Sequence, residues 1–314
     1  MDIVDFQLHE PGPRVDWSDA CEDIKHRALT EMLLQMMESV GVTSVLLHPT
    51  REFQWAEGLS EKYPSNFSSV PMLHGDRPEN TSSGVGPELS PDDPDIEESI
   101  AAVAARPAVR TIRFVPGPLS HPQEFVKFTS GGYDRALAAC QKQDVPILIH
   151  LWGGVSALEP IARRYPGLQF IVDHLGIPQP PHSALHDPWW KDFPAVLALA
   201  KLDNIAIKLC GAPGLSTEGY PFGDSWKYVE QLLESYGVQR LAWGSDISRF
   251  RGRVGWNIRF PKAAEGYVGM HTYAESLGFI LHSDQLGIDE KEHLLGRTAR
   301  RLLRWPLDQA ALSP

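Results

Sequence analysis

Polar and apolar residues alternate close to the N-terminus of the chain. The segment VDFQLH (4–9) places Asp5, Gln7 and His9 on one face and its apolar residues on the other, a spacing typical of a β-strand. The pattern predicts that Gln7 and His9 point to the same place. A strand at the edge of a sheet alternates in the same way, so the alternation alone does not show whether this polar face belongs to a functional site.

Short β-rich segments recur along the chain, and amphipathic helical stretches follow most of them. The predicted strands span residues 3–9, 43–49, 68–75, 109–116, 145–151, 168–176, 204–211 and 240–246. The predicted helices cover about 18–40, 95–105, 133–143, 155–165, 190–202, 226–236, 267–282 and 290–303. Eight parallel strands that alternate with helices close a (β/α)8 TIM barrel. Because no linker divides the chain, we predict an α/β fold with a single domain over residues 1–314.

The predicted connections differ in length at the two ends of the strands. Helix-to-strand joins are short, whereas the strand-to-helix joins at 75–94, 177–189, 212–225 and 247–266 are long. In a TIM barrel, strand-to-helix joins lie on the C-terminal face, where active sites are built. The asymmetry therefore predicts a site that is covered by loops.

Nearly every predicted strand ends in a polar or ionisable residue that its two-residue period turns toward the barrel interior. On the sixth strand, the count groups His174 with Phe170 and Val172. The full set is His9, His48, His74, Arg113, His150, His174, Lys208 and Asp246. A single inward histidine is usually a core residue with satisfied hydrogen bonds. A ring of such groups at one mouth is costly unless it does chemistry, so the ring predicts a catalytic site.

Charge and cysteine content restrict the partners and the compartment. The formal net charge of −11 argues against nucleic acid or an anionic membrane as the main partner, since either requires a basic face. Cys21, Cys140 and Cys210 are odd in number and form no CxxC motif, which predicts neither disulfides nor a cysteine zinc site and favours a reducing cytoplasm. No apolar run is long enough to span a membrane, and no leader pattern is present. We therefore expect a soluble protein.

The segment after Asp246 is basic and aromatic. It carries Arg249 and Trp256 within SRFRGRVGWNIRFPK (248–262). In a chain of negative net charge, such a segment predicts recognition of a small anionic substrate. A solvated loop, or a contact in a homo-oligomer, explains any single arginine equally well.

Five segments resemble one enzyme superfamily. ILIHLWGG, YPGLQFIVDHLG, NIAIKLCG, LAWGSD and LLGRTARRLL look like segments of the amidohydrolase-related hydrolases and decarboxylases (amidohydrolase family 2), which have (β/α)8 barrels. The arginine of TIRF, Arg113, and the lysine of KLCG, Lys208, are similar to those of the branch that contains 2-pyrone-4,6-dicarboxylate lactonase and sugar lactonases. The resemblance covers nearly the whole chain. It implies a hydrolase whose functional residues include His9, His150, His174 and Asp246.

One departure from the family pattern concerns metal binding. The family usually has HxH after its first strand, or ExH in several decarboxylases, whereas this chain has Gln7-x-His9. An amide oxygen is a weak ligand for zinc. The sequence therefore favours a site without a cofactor, in which Gln7 and the imidazoles donate hydrogen bonds to a developing oxyanion. The alternative is a single divalent metal, zinc or manganese, bound by His9, His150 and Asp246.

The predicted reaction is attack of water on the carbonyl of a small anionic lactone, ester or amide. Asp246 is the predicted general base. His9 and His150 would polarise the carbonyl, and His174 would orient the water or protonate the leaving group.

The predicted substrate-binding residues are Arg113, Lys208, His48, Arg249 and Trp256. Arg113 and Lys208 would clamp a substrate carboxylate. An ion pair inside the barrel explains either residue as well, and for Arg113 the partner would be Asp5.

Two other functions remain open at this point. The Gln7-x-His9 pair resembles ExH, which is consistent with a non-oxidative decarboxylase or other lyase that acts on an aromatic or unsaturated carboxylic acid. A binding protein on a decayed enzyme scaffold would explain the lost ligand. The intact set of His150, His174 and Asp246 argues against that third function.

Overall fold

The strands and helices of the chain alternate. The computed structural model describes residues 1–11, 21–49, 52–74, 89–119, 121–179, 190–247 and 271–307. Its strands are β1 (Val4–Leu8), β2 (Ser44–Leu47), β3 (Phe67–Ser69), β4 (Met72–Leu73), β5 (Ile112–Phe114), β6 (Ile147–Ile149), β7 (Phe170–Val172), β8 (Ile205–Cys210) and β9 (Leu241–Gly244). Its helices are α1 (Glu22–Val40), α2 (Phe53–Lys62), α3 (Ile96–Ala104), α4 (Pro122–Thr129), α5 (Asp134–Lys142), α6 (Leu158–Arg164), α7 (Phe193–Ala198), α8 (Gly223–Tyr236), α9 (Tyr273–Leu281), α10 (Ile288–Glu292) and α11 (Thr298–Leu302).

The strands pair in parallel around a barrel. The hydrogen-bonded orders are β1-β2-β3 and β4-β5-β6-β7-β8-β9. β3 and β4 are two halves of one predicted strand, interrupted at Pro71, which has no amide hydrogen. The amide of Val70 donates to Leu47 of β2, and the carbonyl of Pro71 accepts from Arg113 of β5 at 2.9 Å. The predicted (β/α)8 fold is confirmed, whereas the single-domain span stays a prediction.

The end of β9 lies against β1. The amide of Asp246 donates to the carbonyl of Gln7 at 2.9 Å. A Cβ atom at Gly244 would lie 3.1 Å from the backbone nitrogen of Gln7, so a side chain at this position would crowd the close approach of the two segments. This contact fixes the backbone of Gln7 relative to Asp246.

Apolar side chains fill both faces of the strands. The inner cluster, inside the barrel, consists of Val4, Phe6, Leu46, Val70, Leu148, Ile171, Ala206 and Ala242, with four residues near the C-terminus. The outer cluster, which includes Leu8, Leu47, Phe114, Ile149 and Val172, packs against the helices. Polar side chains occupy the barrel mouth beyond the inner cluster, so the apolar layer forms the floor of the candidate site.

The predicted common face of β1 is wrong for Asp5. The register between β1 and β2 shifts between Asp5 and Leu8, and Phe6 lies in the inner cluster whereas Leu8 lies in the outer one. A strand irregularity of this kind changes the side to which the following residues point. Gln7 and His9 consequently reach the mouth, while Asp5 contacts Ser245 and Tyr273.

Two helices were not predicted. α2 carries Gly58 in its interior, which lowers helix propensity, and α4 is short and begins at Pro122. α2 nevertheless buries Phe53, Trp55 and Leu59. Tertiary packing therefore stabilises a segment whose own pattern is weak.

Candidate active site

Asp246 is the carboxylate at the centre of the mouth. It follows β9, is fully buried, and has a left-handed backbone with φ of 50°. His9 Nε2 lies 3.2 Å from its Oδ1, and His174 Nδ1 lies 3.8 Å from its Oδ2. A left-handed conformation at a residue other than glycine costs free energy and is found frequently at functional sites. The role of Asp246 as the general base stays a prediction.

His9 is held by the backbone of the neighbouring strand segment. Its Nδ1 lies 2.6 Å from the carbonyl oxygen of His48. A carbonyl oxygen only accepts, so Nδ1 carries a proton and donates. Nε2 is then the nitrogen that faces the site, 3.4 Å from Gln7 Nε2 and close to Asp246.

His174 lies at the mouth because of a turn in the backbone, and the two-residue strand period does not explain its position. On β7, Phe170 and Val172 face outward and Ile171 faces inward, so the next inward residue is Asp173. The grouping of His174 with Phe170 and Val172 is therefore wrong. His174 has a φ of 51°, and this turn returns its ring to the mouth, where its Nε2 lies 3.3 Å from a terminal nitrogen (Nη2) of Arg113.

Asp173, which was not among the predicted site residues, joins the two inward cations. Its Oδ2 lies 2.6 Å from Arg113 Nε, and its Oδ1 lies 2.6 Å from Lys208 Nζ. Burial alone would raise the pKa of Asp173, but the charges of Arg113 and Lys208 outweigh it and hold that pKa well below the usual range. The suggested pair of Arg113 with Asp5 is wrong. A count of two from Ile171 would have found Asp173.

Lys208 has no exposed surface. Besides Asp173, its ammonium lies 2.5 Å from Gln7 Oε1 and 5.6 Å from the centre of the Phe6 ring. These contacts favour the internal ion pair over direct binding of a substrate carboxylate. A substrate-binding role for Lys208 stays a prediction.

His48 and His150 complete the described part of the mouth. His48 is buried, and neither of its ring nitrogens has a hydrogen-bond partner within the described residues. Burial, followed by the charges of Lys208 and Arg113, holds the pKa of His48 well below its ordinary value, so this ring is neutral. The ring of His150 packs 4.3 Å from that of Trp152, centre to centre.

Asp5 forms a buried anchor behind Gln7. Its Oδ1 accepts hydrogen bonds from the amides of Gln7 and Ser245, and its Oδ2 accepts from the hydroxyls of Ser245 and Tyr273. Burial raises the pKa of Asp5 from 3.8 to about 6, although these hydrogen bonds oppose the rise. The carboxyl therefore ties the start of α9 to the residues that flank Asp246.

We expect Asp5 to make stability fall as the pH rises. The folded protein binds this proton more tightly than the unfolded chain, so the contribution is fully present below pH 3.8 and is lost as the pH rises through about 6. The loss should reach about 2–3 kcal/mol. Urea unfolding of the wild type and of Asp5→Asn across this range should show a difference that shrinks as the pH rises. A constant difference would show that Asp5 titrates alike in both states.

The residues that could bind a divalent metal differ from the predicted set of His9, His150 and Asp246. Within the described ranges, His174, Cys210 and Asp246 place a nitrogen, a sulfur and an oxygen within 4.8 Å of one another, a grouping that suits zinc. Burial, followed by the charge of Asp246, raises the pKa of the Cys210 thiol well above its usual value, so an ion would have to displace that proton. Gln7 does not fit as a ligand, because its oxygen accepts from Lys208.

Three further predictions concern the segment after Asp246, the cysteines and membrane-crossing helices. Arg249 and Trp256 lie outside the described residues. The three cysteines are free, with Cys21 exposed and the other two buried. Within the described ranges, none of the helices has the length and apolar character needed to cross a membrane.

Two curated relatives align with part of the chain. L-fucono-1,5-lactonase of Burkholderia ambifaria is 38% identical over 131 residues, which cover 39% of this chain and 43% of the relative. 4-Sulfomuconolactone hydrolase of Rhizobium radiobacter is 31% identical over 123 residues, 36% of each chain. The chain thus spans less than half the length of either relative.

Solved structures match nearly the whole chain. An amidohydrolase from Burkholderia multivorans with bound zinc has a TM-score of 0.67 at 17% identity and covers 98% of this chain and 100% of its own. A putative 2-pyrone-4,6-dicarboxylic acid hydrolase from Pseudomonas putida has a TM-score of 0.62 at 17% identity, with 98% and 99% covered. At these identities the likeness shows the fold alone.

The family assignment comes from the sequence itself. Residues 79–305, which make up most of the chain, match the family Amidohydro_2, described as amidohydrolase. The match includes the ends of β5 to β9, where most of the candidate site lies. The protein therefore belongs to the amidohydrolase family, as the resemblance of its strand-end segments implied.

Proposed function

We propose that the protein hydrolyses a small anionic lactone, with Asp246 as the general base. The observation that carries the proposal is the buried Asp246 carboxylate between His9 and His174. The names of the two relatives, a lactonase and a lactone hydrolase, support the substrate class. Esters and amides remain within the same chemistry.

In the proposed reaction, Asp246 takes a proton from water as the water oxygen bonds to the lactone carbonyl carbon. Gln7 Nε2 donates a hydrogen bond to the oxyanion that develops, with the imidazoles of His9 and His150 nearby. The ring C–O bond then breaks. The leaving oxygen takes up the proton from Asp246, which restores the carboxylate. His174 orients the water.

The proposed reaction uses no cofactor. If a divalent ion is bound, His174, Cys210 and Asp246 would hold it, and the ion would supply a more acidic water and a polarised carbonyl. The bound zinc of the Burkholderia multivorans structure belongs to that protein. The metal requirement of this chain is tested by chelation, as argued below.

Lactone hydrolysis is tested with a matched substrate panel. Lactones that carry a carboxylate or sulfonate, and neutral lactones of similar size, are supplied to the wild type and to Asp246→Asn, and acid release is followed with a pH indicator. We expect hydrolysis by the wild type, with the higher kcat/KM for anionic lactones. Equal kcat/KM for neutral lactones would remove the anionic preference.

Decarboxylation is the second candidate function and has less support. The relatives that align in sequence are named as lactone hydrolases. An assay for bicarbonate release from aromatic carboxylic acids distinguishes the two reactions. Bicarbonate release without hydrolysis of any lactone would decide for the decarboxylase. The cytoplasmic location and a homo-oligomeric state stay predictions.

A further inference from the structure

Asp173 connects two cations that each donate a second hydrogen bond into the mouth. Lys208 binds Asp173 Oδ1 and also donates to Gln7 Oε1. Arg113 binds Asp173 Oδ2 through Nε and reaches His174 Nε2 with its Nη2 group. One buried carboxylate therefore holds both cations, and each cation contacts a different residue of the candidate site.

The contact with Lys208 determines which end of the Gln7 amide faces the site. An ammonium group has only donors, so the amide must present its oxygen to Lys208. The amide nitrogen is then directed toward His9, 3.4 Å away. Gln7 therefore presents its amide nitrogen to the candidate site, and this nitrogen donates hydrogen bonds but does not accept them.

The contact with Arg113 determines the tautomer of His174 in the same way. A guanidinium group is always charged and only donates. His174 Nε2 must therefore accept, and the neutral ring carries its hydrogen on Nδ1. That nitrogen faces Asp246 Oδ2 at 3.8 Å, so the hydrogen is directed toward the proposed general base.

We propose that Asp173 is a positioning residue that, through Lys208 and Arg113, makes Gln7 and His174 hydrogen-bond donors toward the site. The proposal rests on the proposed function for its catalytic meaning, but the orientations can be measured without any substrate. Two cations on one buried carboxylate are costly to bury. The second contact of each cation fixes a hydrogen-bonding direction. Lys208 fixes the orientation of the Gln7 amide, and Arg113 fixes the tautomer of the His174 imidazole.

The tautomer of His174 is the first test. Wild-type protein labelled with ¹⁵N-histidine is compared with Arg113→Met, and the His174 signals are assigned with His174→Gln. We expect the Nδ1–H tautomer in the wild type and a shift toward the Nε2–H tautomer in Arg113→Met. Arg106→Met is the matched control, because Arg106 pairs with Glu57, and it should keep the wild-type signals.

Two results would overturn this assignment. The first is a His174 that is Nε2–H or doubly protonated in the wild type near neutral pH. The second is an unchanged tautomer in a folded Arg113→Met. Kinetics give a further distinction, since a clamp for the substrate carboxylate raises KM at unchanged kcat, whereas a positioning residue lowers kcat.

The donor role of Gln7 is tested with Gln7→Glu, which keeps the shape and replaces the amide nitrogen with an acceptor. We expect this variant to unfold at the same or a higher temperature than the wild type, since the introduced carboxylate would pair with Lys208. Its kcat should fall by about 10²–10³, the usual scale for one oxyanion donor. A folded Gln7→Glu with wild-type kcat would refute the donor orientation. Absence of lactone hydrolysis in the wild type would instead count against the proposed function and leave the tautomer measurement valid.

Discussion

Asp246→Asn lowers kcat for lactone hydrolysis by about 10²–10⁴, the scale of general-base catalysis, with the fold intact. The amide has nearly the same shape as the carboxylate but cannot take a proton from water. The backbone contact from Asp246 to Gln7 does not involve the side chain, so it persists in the variant. Steady-state kinetics, with circular dichroism to check the fold, measure the effect.

The control for this substitution is Asp144→Asn, which removes an exposed carboxylate that pairs with Arg304 far along the chain. It should retain wild-type kcat. Binding of a non-hydrolysable lactone analogue to Asp246→Asn should also remain within a few-fold of the wild type. Near-normal turnover by a folded Asp246→Asn would show that another group takes the proton.

The two-residue strand period predicted the inward face correctly on the regular strands. Lys208 follows Ala206 on β8, and His150 follows Leu148 at the end of β6, and both apolar partners lie in the inner cluster as predicted. The period holds there because these strands are regular up to their ends. The barrel could be predicted for the same reason, since regular strands and helices repeat along the chain.

The period failed where the backbone leaves the regular strand conformation. The register shift in β1 separates Asp5 from Gln7 and His9, and the left-handed turn at His174 brings its ring to the mouth from the outward phase of β7. Neither irregularity has a clear signal in the polar and apolar pattern. Asp173 keeps the regular inward phase of Ile171, and it was overlooked because the prediction placed the neighbouring His174 on that face.

The ion-pair partner of Arg113 could not be predicted from the sequence either. Asp5 and Asp173 were both possible partners, and the strand pattern does not show which of the two carboxylates lies next to Arg113. In the folded chain, the Asp5 carboxylate accepts hydrogen bonds from the amides of Gln7 and Ser245 and from the hydroxyl of Tyr273. Asp173 has Arg113 and Lys208 beside it. The choice follows from neighbours that the barrel brings together from distant segments.

Thorough chelation leaves the wild-type protein active. We expect this result because Gln7, at the position of the usual first ligand, donates through Nε2 while its oxygen is held by Lys208. This donor replaces part of the charge stabilisation that a metal would give. Activity after dialysis against a chelator, with metal content measured on the same sample, tests the expectation. Gln7→Ala should lose about 10²–10³ in kcat under the same conditions.

Gln7→His completes the test, because it rebuilds an HxH pair beside Asp246. An imidazole is a strong zinc ligand where the amide is weak, so this variant should retain more zinc or manganese than the wild type. Activity should not rise with occupancy, since the ion would take the place in which the carbonyl is held by hydrogen bonds. The competing account has a working metal at His174, Cys210 and Asp246, and it predicts that Cys210→Ser loses metal. Wild-type activity that is abolished by chelation and restored by one divalent metal would decide for that account.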